Sequence, residues 1–420
     1  MNEVNNHTTR RVRTLAREWP SGVRIDSLFC IDREIRCFEG QYPVADGMTY
    51  NSYIVSGTAC SAVLDTVDHS MVGQWLDTTD RLFAGCAHTH GHPDYLIVQH
   101  LEPDHSAGIG AFMERWPECR LVCSAIAARM LPQFCPSVAA ERVLVVKEGD
   151  SLDLGVASLH FISAPMVHWP EVLMTYEPST ETLFSADAFG TFGASLAETC
   201  DGSMAAYDTL WPDEARRYYC NIVGKYGKQV QNVLKKLDGT PVDTICPLHG
   251  PALTVAAFNP VTLYSLWSSC TPERPDAVAV VSASLHGNTH EAARELCDML
   301  RADGAEAVHV ALSCENVSRA VAEAFRCGTI VFMCSTYDAG IVPVMRDFLA
   351  RLASKGLRDR RFAIVENGSW APVAASQMLA EISRLDGFTQ VGQTVTIRTR
   401  LDDSSRAALK TLAGELTIQR

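Results

Sequence analysis

His100-Leu101-Glu102-Pro103-Asp104-His105 sets two imidazoles and two carboxylates within six residues, directly behind the apolar run Tyr95-Leu-Ile-Val98. If the backbone stays extended past that run, His100, Glu102 and Asp104 project to one side, because successive side chains of a strand alternate between faces. His105 then adds a second imidazole at the turn. The segment His105-Ser-Ala-Gly-Ile-Gly-Ala-Phe-Met-Glu can open a helix, so that strand, ligand loop and helix form one unit. Four ligands in so short a stretch exceed what one tetrahedral zinc requires, and a carboxylate can bridge two ions. The stretch therefore points to a dinuclear metal site.

Three further candidates each follow an apolar run: His168 after Phe161-Ile-Ser-Ala-Pro-Met-Val, Asp187 after Thr182-Leu-Phe-Ser-Ala, and His249 after Thr244-Ile-Cys-Pro-Leu. Together with the ladder, four strand ends deliver ligands to one edge of a sheet sandwich. The set His100, Glu102, Asp104, His105, His168, Asp187 and His249 suits two ions with one bridging carboxylate. Glu102, a carboxylate where an imidazole would suit zinc, makes the first position harder and more anionic and favours iron or manganese. A second histidine-rich stretch, Cys86-Ala-His88-Thr-His90-Gly-His92-Pro-Asp94-Tyr95, imitates the zinc-hydrolase pattern HxHxDH. It precedes the apolar strand, at the wrong end to join the ladder, and reads as a solvated loop.

Around these ligands the chain divides. Val23-Arg-Ile25, Tyr50–Val55 and Ser61–Leu64 are short β-rich runs between Gly, Pro and Asp turns, expected to pair as an antiparallel sheet. Val72–Leu76 reads as a short helix. Beyond the ladder, helix-like segments (Ile109–Trp116, Ala125–Phe134) alternate with strands (Arg120–Val122, Val143–Val146, Ser158–Ile162), the pattern of sheets covered by helices. Pro251–Pro275 carries Asn259-Pro260 and Thr271-Pro-Glu-Arg-Pro275 and reads as a linker with one short helix near Val261–Trp267. The expected division is a metal domain over 1–258, a linker over 259–275 and a second domain over 276–420.

The second domain shows a βα alternation: strands at Val278–Val281, Val308–Ala311, Thr329–Phe332, Phe362–Val365 and Thr394–Ile397, with helices between and after them. Five strands and about five helices describe a doubly wound parallel sheet of flavodoxin type, whose ligand lies at the carboxyl ends of the strands. The loop after the first strand, Ser282-Ala-Ser284-Leu285-His286-Gly287-Asn288-Thr289, offers hydroxyls, an amide and glycine at a helix N-terminus, which suits a single phosphate held by neutral donors. Ser335-Thr336-Tyr337-Asp338-Ala-Gly340 follows the third strand and Glu366-Asn367-Gly368-Ser369-Trp370 the fourth. Tyr337 and Trp370 can flank a flat ring, and FMN is the natural candidate.

Composition sets bounds on function. The 420 residues include 36 basic and 49 acidic side chains, a net charge of −13, with no Lys/Arg block, which argues against a nucleic-acid partner. With 47% hydrophobic and 20% charged residues, a folded chain is expected. No apolar run approaches the roughly 20 residues of a membrane span and the N-terminus lacks a secretory apolar core, so a cytoplasmic location without a membrane partner is expected. The 15 cysteines are odd in number and include no CxxC, which fits reduced thiols and argues against a built-in rubredoxin or cysteine zinc site.

Over essentially its full length the sequence resembles the flavodiiron proteins, also called A-type flavoproteins. The family pattern HxExDH is followed by 62 residues to His, 18 to Asp and about 60 to His; here the intervals are 62, 18 and 61. Met48-Thr-Tyr-Asn-Ser-Tyr53, Ala164-Pro-Met-Val-His168-Trp-Pro, Phe184-Ser-Ala-Asp187-Ala-Phe-Gly190 and Leu248-His249-Gly250-Pro251 also match. The resemblance implies a metallo-β-lactamase-like αββα domain followed by an FMN-binding domain. It assigns His100, Glu102 and His168 to one iron, Asp104, His105 and His249 to the other, and Asp187 to a bridge. It further implies reduction of dioxygen to water or of nitric oxide to nitrous oxide. The assembly it implies is a head-to-tail homodimer, or a dimer of such dimers, with the FMN of one subunit against the metal centre of the next. Ser335 stands where Pro is expected and Asp338 where Asn is usual, which bears on the fine flavin contacts and the flavin potential. No rubredoxin segment follows residue 420, so an external electron donor such as a rubredoxin or its reductase is expected. Tyr176 and the partners of the histidines are the candidates for a general acid. A dizinc hydrolase on the same fold is the alternative, against which Glu102 and the FMN-type domain count; an electron-transfer or gas-sensing module with a structural metal site is a third.

Overall fold

The computed structural model describes residues 9–85, 91–199 and 207–417. They form two compact units, one holding the chain up to Tyr219 with Lys228–Tyr264, the other Cys220–Gly227 with Ser265 onward. The division at Tyr264 and Ser265 lies inside the helix Pro260–Ser269, within the stretch read as a linker.

In the first unit a seven-stranded sheet runs in the order Arg10–Glu18, Arg24–Asp32, Met48–Ser56, Ser61–Leu64, Tyr95–Val98, Arg120–Ser124, Val143–Val146. Its first four strands are antiparallel neighbours, and from Ser61–Leu64 onward the pairing is parallel. A second sheet of six strands contains Ser158–Ser163, Leu173–Glu177, Thr182–Phe184 and Thr244–Cys246. The two sheets share one apolar core, in which Tyr53, Leu64, Ile97 and Val122 of the first meet Leu159, Phe161, Leu173 and Phe184 of the second.

Three readings change. The first strand, Arg10–Glu18, was not expected; its sequence RRVRTLARE is charged along an edge, the pattern that keeps an edge strand from pairing with other chains. The helix expected over Val72–Leu76 runs to Gly85, held by the buried stripe Trp75, Thr78, Thr79 and Phe83. The ladder does not stay extended. Pro103 opens the short helix Pro103–Ser106, since its fixed φ and missing N–H suit a first helical position. Asp104 and His105 therefore leave the strand direction that Glu102 still follows.

The second unit is a parallel sheet in the order Ala307–Ala311, Arg274–Ala283, Cys327–Tyr337, Arg361–Asn367, with Thr389–Gln390 and Val395–Ile397 both on the last. The helices Asn288–Ala302 and Asp403–Thr417 pack together, as do Val317–Arg326 with Pro343–Ser354 and Pro343–Ser354 with Ala374–Ile382. The central strands, covered on both faces, are buried from Ala277 to Ala283 and from Phe362 to Asn367, which is why they read as continuous apolar runs. This is the flavodoxin-type arrangement expected.

Ser282, near the end of the first of these strands, accepts or donates at 2.7 Å to His290 Nδ1 and at 2.6 Å to His309 Nε2. Burial, then the neighbouring His290, holds the His309 imidazole down at about 4. The unfolded chain takes up this proton below roughly pH 6.5 and the folded one does not, so the associated stability is present above that pH and is lost as pH falls towards 4. The unfolding free energy measured with denaturant at pH 7 and pH 4.5 is expected to differ by about 1–2 kcal/mol less in His309→Gln than in the natural chain, after allowing for partial exposure. Equal differences in the two proteins would place the acid sensitivity elsewhere.

Candidate functional site

All seven expected ligands converge at one end of the first unit. Four elements supply them: the turn after Tyr95–Val98, the loop after Ser158–Ser163, the turn after Thr182–Phe184 and the turn after Thr244–Cys246. The donor atoms fall into two groups, one of His100, Glu102, His168 and Asp187, the other of Asp104, His105 and His249, with the donor atoms inside each group within 4.8 Å of one another. His100, His105 and His249 are wholly buried.

Asp187 links the groups. Its Oδ2 lies 3.0 Å from His168 Nε2 and 3.6 Å from His100 Nε2; its Oδ1 lies 3.1 Å from His105 Nε2 and 3.7 Å from His249 Nε2. Glu102 Oε2 lies 3.2 Å from both His100 Nε2 and His168 Nε2, and Asp104 Oδ2 lies 3.4 and 3.3 Å from His105 and His249 Nε2. Such spacings are the edges of coordination polyhedra: with metal–ligand bonds of about 2.1 Å, an octahedral edge is about 3.0 Å and a tetrahedral one about 3.4 Å. Among the described residues neither carboxylate oxygen of buried Asp104 finds a hydrogen-bond donor. Buried carboxylates without donors call for cations, so the residues present fit a pair of metal ions.

The local electrostatics agree. Burial alone would push the His168 imidazole down, yet its hydrogen bonds to Asp187 and Glu102 raise it to about 9. Burial also opposes the charge on His105, and Asp104 and Asp187 raise it to about 9. Burial raises and the hydrogen bonds from His100 and His168 lower Glu102, which ends at about 2. Without metal the cluster thus neutralises itself with protons, which an entering cation displaces.

Partners absent from the expected set aim these ligands. His100 Nδ1 donates to Glu171 Oε1 at 2.9 Å and His249 Nδ1 donates to the Thr49 carbonyl at 2.7 Å, which leaves each Nε2 for a metal. Buried Asp65 takes the Gln99 and His100 backbone N–H groups at 2.8 and 3.2 Å and pins the start of the ladder. The signals for two of them were near at hand, since Glu171 lies three residues past His168 and Thr49 within the quoted Met48–Tyr53 word. Backbone strain gathers here too: Asp65, Met166 and Ala186 have φ of 55°, 64° and 51°, left-handed values that non-glycine residues avoid.

Aromatic rings wall the second group. Phe38, Tyr218 and Tyr50 stand 5.3, 5.5 and 5.9 Å from the His249 ring. Tyr176 is not among them, because its hydroxyl donates to the Pro241 carbonyl at 2.5 Å. The histidine-rich stretch before the strand contributes nothing described: residues 86–90 lie outside the described residues, His92 is exposed, and Asp94 Oδ2 accepts from the Ser61 backbone at 2.8 Å.

In the second unit a cavity of about 530 Å³ opens at the carboxyl ends of the strands. Ser284, Leu285, His286, Asn288, Ser335, Thr336, Tyr337, Asp338, Asn367, Gly368, Ser369 and Trp370 line it, as expected, and Ala339, Ala371, Val373 and Thr399 join them. Gly287, Thr289 and Gly340 do not line it. Gly287 precedes the helix Asn288–Ala302 with φ of 92°, the hydroxyls of Thr289 and Ser335 bond at 2.8 Å, and Gly340 closes the Tyr337 turn. The helix start has no side-chain cap, so its N–H groups are open to a phosphate. Trp370 is 90% exposed and Tyr337, more than half covered, 42% exposed, and both rings are available to a planar ligand. The volume falls within the roughly 300–1,000 Å³ of small-molecule sites, and hydroxyls, amides and rings suit a flavin mononucleotide.

Fold and site together define a two-unit protein: a metallo-β-lactamase-like unit with a two-metal donor set and a flavodoxin-like unit with a nucleotide-sized pocket. Comparisons with known proteins lead to the same place. The model of the "ODP family beta lactamase" matches residues 48–250. The nitric oxide reductase of Moorella thermoacetica is 27% identical over 90% of this chain and 92% of its own, and the anaerobic nitric oxide reductase flavorubredoxin of Escherichia coli is 27% identical over 83% and 71%. In fold, rubredoxin oxygen:oxidoreductase from Desulfovibrio gigas superposes with a TM-score of 0.82 at 22% identity, over 96% of this chain and 98% of its own. The flavodiiron protein of Giardia intestinalis gives 0.82 at 22% identity over 96% of both. Residues 48–250 thus match the ODP family, and the fold of the chain is that of the flavodiiron proteins.

Glu171→Met removes the acceptor that orients His100 at nearly the same size. Iron(II) affinity, measured by anaerobic titration of metal-free protein, is expected to fall about 10- to 100-fold, with FMN content unchanged.

Proposed function

We propose that this protein is an FMN- and diiron-dependent oxidoreductase that reduces dioxygen to water, nitric oxide to nitrous oxide, or both. The observation that carries the reading is Asp187, each of whose oxygens faces a different donor group. His100, Glu102 and His168 would hold one iron and Asp104, His105 and His249 the other, with Asp187 placed to serve both. Glu102 gives the first position a carboxylate that favours iron over zinc. Ser284, Leu285, His286 and Asn288 form the phosphate side of the FMN site, with Gly287 and Thr289 shaping the helix start behind them; Ser335, Thr336, Tyr337, Asp338, Asn367, Gly368, Ser369 and Trp370 form its ring side, with Gly340 closing the Tyr337 turn.

When bound, reduced FMN supplies electrons and the paired irons supply the Lewis-acid centre at which they reach the gas. The chain's own residues do the rest. Glu171 and the Thr49 carbonyl fix the tautomers of His100 and His249, and Asp65 sets the ladder's position, so the donor set is preorganised rather than assembled on demand. Phe38, Tyr50 and Tyr218 keep water from one side of the cluster. In balance, two nitric oxide molecules take two electrons and two protons to give nitrous oxide and water; one dioxygen takes four of each to give two waters.

Electrons come from an external donor such as a rubredoxin or its reductase. A head-to-tail homodimer, alone or paired, is the working assembly. The described helices include none long and apolar enough to cross a membrane. A cytoplasmic setting belongs to the same proposal and rests on the free, mostly buried cysteines, which suit a reducing compartment.

Protein expressed in iron-replete medium is expected to be yellow, with two irons and one FMN per chain. It should consume dioxygen or nitric oxide at an electrode when given a reduced donor. His168→Ala and Glu102→Ala should each abolish that consumption while FMN stays bound. Unchanged consumption in either variant would refute the ligand assignment, and zinc in place of iron would refute the redox chemistry.

A further inference from the structure

Sixteen described residues line the cavity at the carboxyl ends of the second unit's strands, and Asp338 is the one carboxylate among them. No lysine or arginine is among the sixteen. Apart from the imidazole of His286 the lining is uncharged, made of hydroxyls, the amides of Asn288 and Asn367, and the rings of Tyr337 and Trp370. A site that holds its ligand through neutral donors thus carries one fixed charge, and that charge is negative.

The turn does not require that charge. Asp338 and Ala339 are its central residues, with φ of 47° and 53°, and Tyr337 pairs with Gly340 across it. Two left-handed central residues make a type I′ turn, whose first central position is ordinarily Asn, Asp or Gly. Asparagine would fit the same backbone without a charge. Nor does the fold claim the carboxylate: among the described residues no hydrogen bond or ion pair engages Asp338. Arg346 Nη2 lies 3.5 Å from where a side chain on Gly340 would begin, yet it forms no ion pair with Asp338 and does not line the cavity.

We propose that Asp338 sets the reducing power of the flavin: its negative charge, on the wall of the cavity that takes FMN, disfavours the reduced ring relative to the oxidised one and makes bound FMN the stronger electron donor. The proposal rests on the reading of this cavity as the FMN site. Reduction takes two electrons from the external donor and one proton from water, forms the N–H bond at N5 and leaves the ring with one more negative charge. Passing those electrons on breaks that bond, returns the proton to water and restores the neutral ring. Asp338 gains and loses neither electron nor proton; it acts only through the repulsion between its charge and that of the ring.

The size of the effect follows from linkage. A site shifts the equilibrium between two forms of a ligand only by the ratio of its affinities for them. The phosphate carries the same charge in both forms of FMN, so the donors that hold it do not tell them apart. A carboxylate on the wall does, because it weakens binding of the reduced form more than binding of the oxidised one. Asp338 is exposed at the turn, so its field passes partly through water and the effect is modest. About a tenfold difference between the two affinities is expected, which for a two-electron couple is about 30 mV.

The test is the flavin potential of the full chain, loaded with iron and FMN, measured by spectroelectrochemical titration at fixed pH and low salt. Asp338→Asn and Asp338→Gly both suit a left-handed position, and each should raise the potential by about 30 mV, a tenfold gain for reduced over oxidised FMN. The gap to the natural protein should narrow as salt is raised. Asp347→Asn removes an exposed carboxylate that is paired with Arg351 outside the cavity, and should leave the potential unchanged. An unchanged potential in both Asp338 variants, a shift in only one of them, or an equal shift in Asp347→Asn would each overturn the assignment. Should the natural protein bind no FMN, the reading of the cavity itself fails, a result distinct from any difference between the variants.

Discussion

Burying three carboxylates and four imidazoles against one another is the constraint on which the first unit depends. Asp187 is 1% exposed, and His100, His105 and His249 are fully enclosed. Such a cluster is stable only if its charges are balanced within it, by protons in the metal-free protein and by cations in the loaded one. Asp104 and Asp187 raise the His105 imidazole, and Asp187 and Glu102 the His168 imidazole, against the opposing effect of burial, so the cluster draws positive charge.

The sandwich meets this demand by ending four segments at one edge. Parallel pairing of Tyr95–Val98 with its neighbours and of Thr182–Phe184 with Thr244–Cys246 brings chain exits far apart in sequence to the same side. The short helix opened by Pro103 then divides the ladder, so that Glu102 serves one group while Asp104 and His105 serve the other. A continuous strand would have sent Asp104 after Glu102 and left the second group with two imidazoles alone.

Much of this was legible in the sequence. The seven ligands follow apolar runs that mark strand ends, and the second unit's strands, buried on both faces, are plain as Val-, Ile- and Phe-rich words. What escaped reading depended on other forces. Arg10–Glu18 is charged because it lies on a sheet edge, so its composition hides its conformation. Pro103 carried a helix-start signal that the alternation argument overrode. Glu171, Asp65 and the Thr49 carbonyl act through pairings that only the folded sheet creates.

The most direct test of the account is anomalous diffraction at the iron absorption edge from crystals of protein expressed in iron-replete medium. Two peaks are predicted, one among His100, Glu102 and His168 and one among Asp104, His105 and His249, with Asp187 between them. A single peak, or a signal at the zinc edge in place of iron, would contradict it.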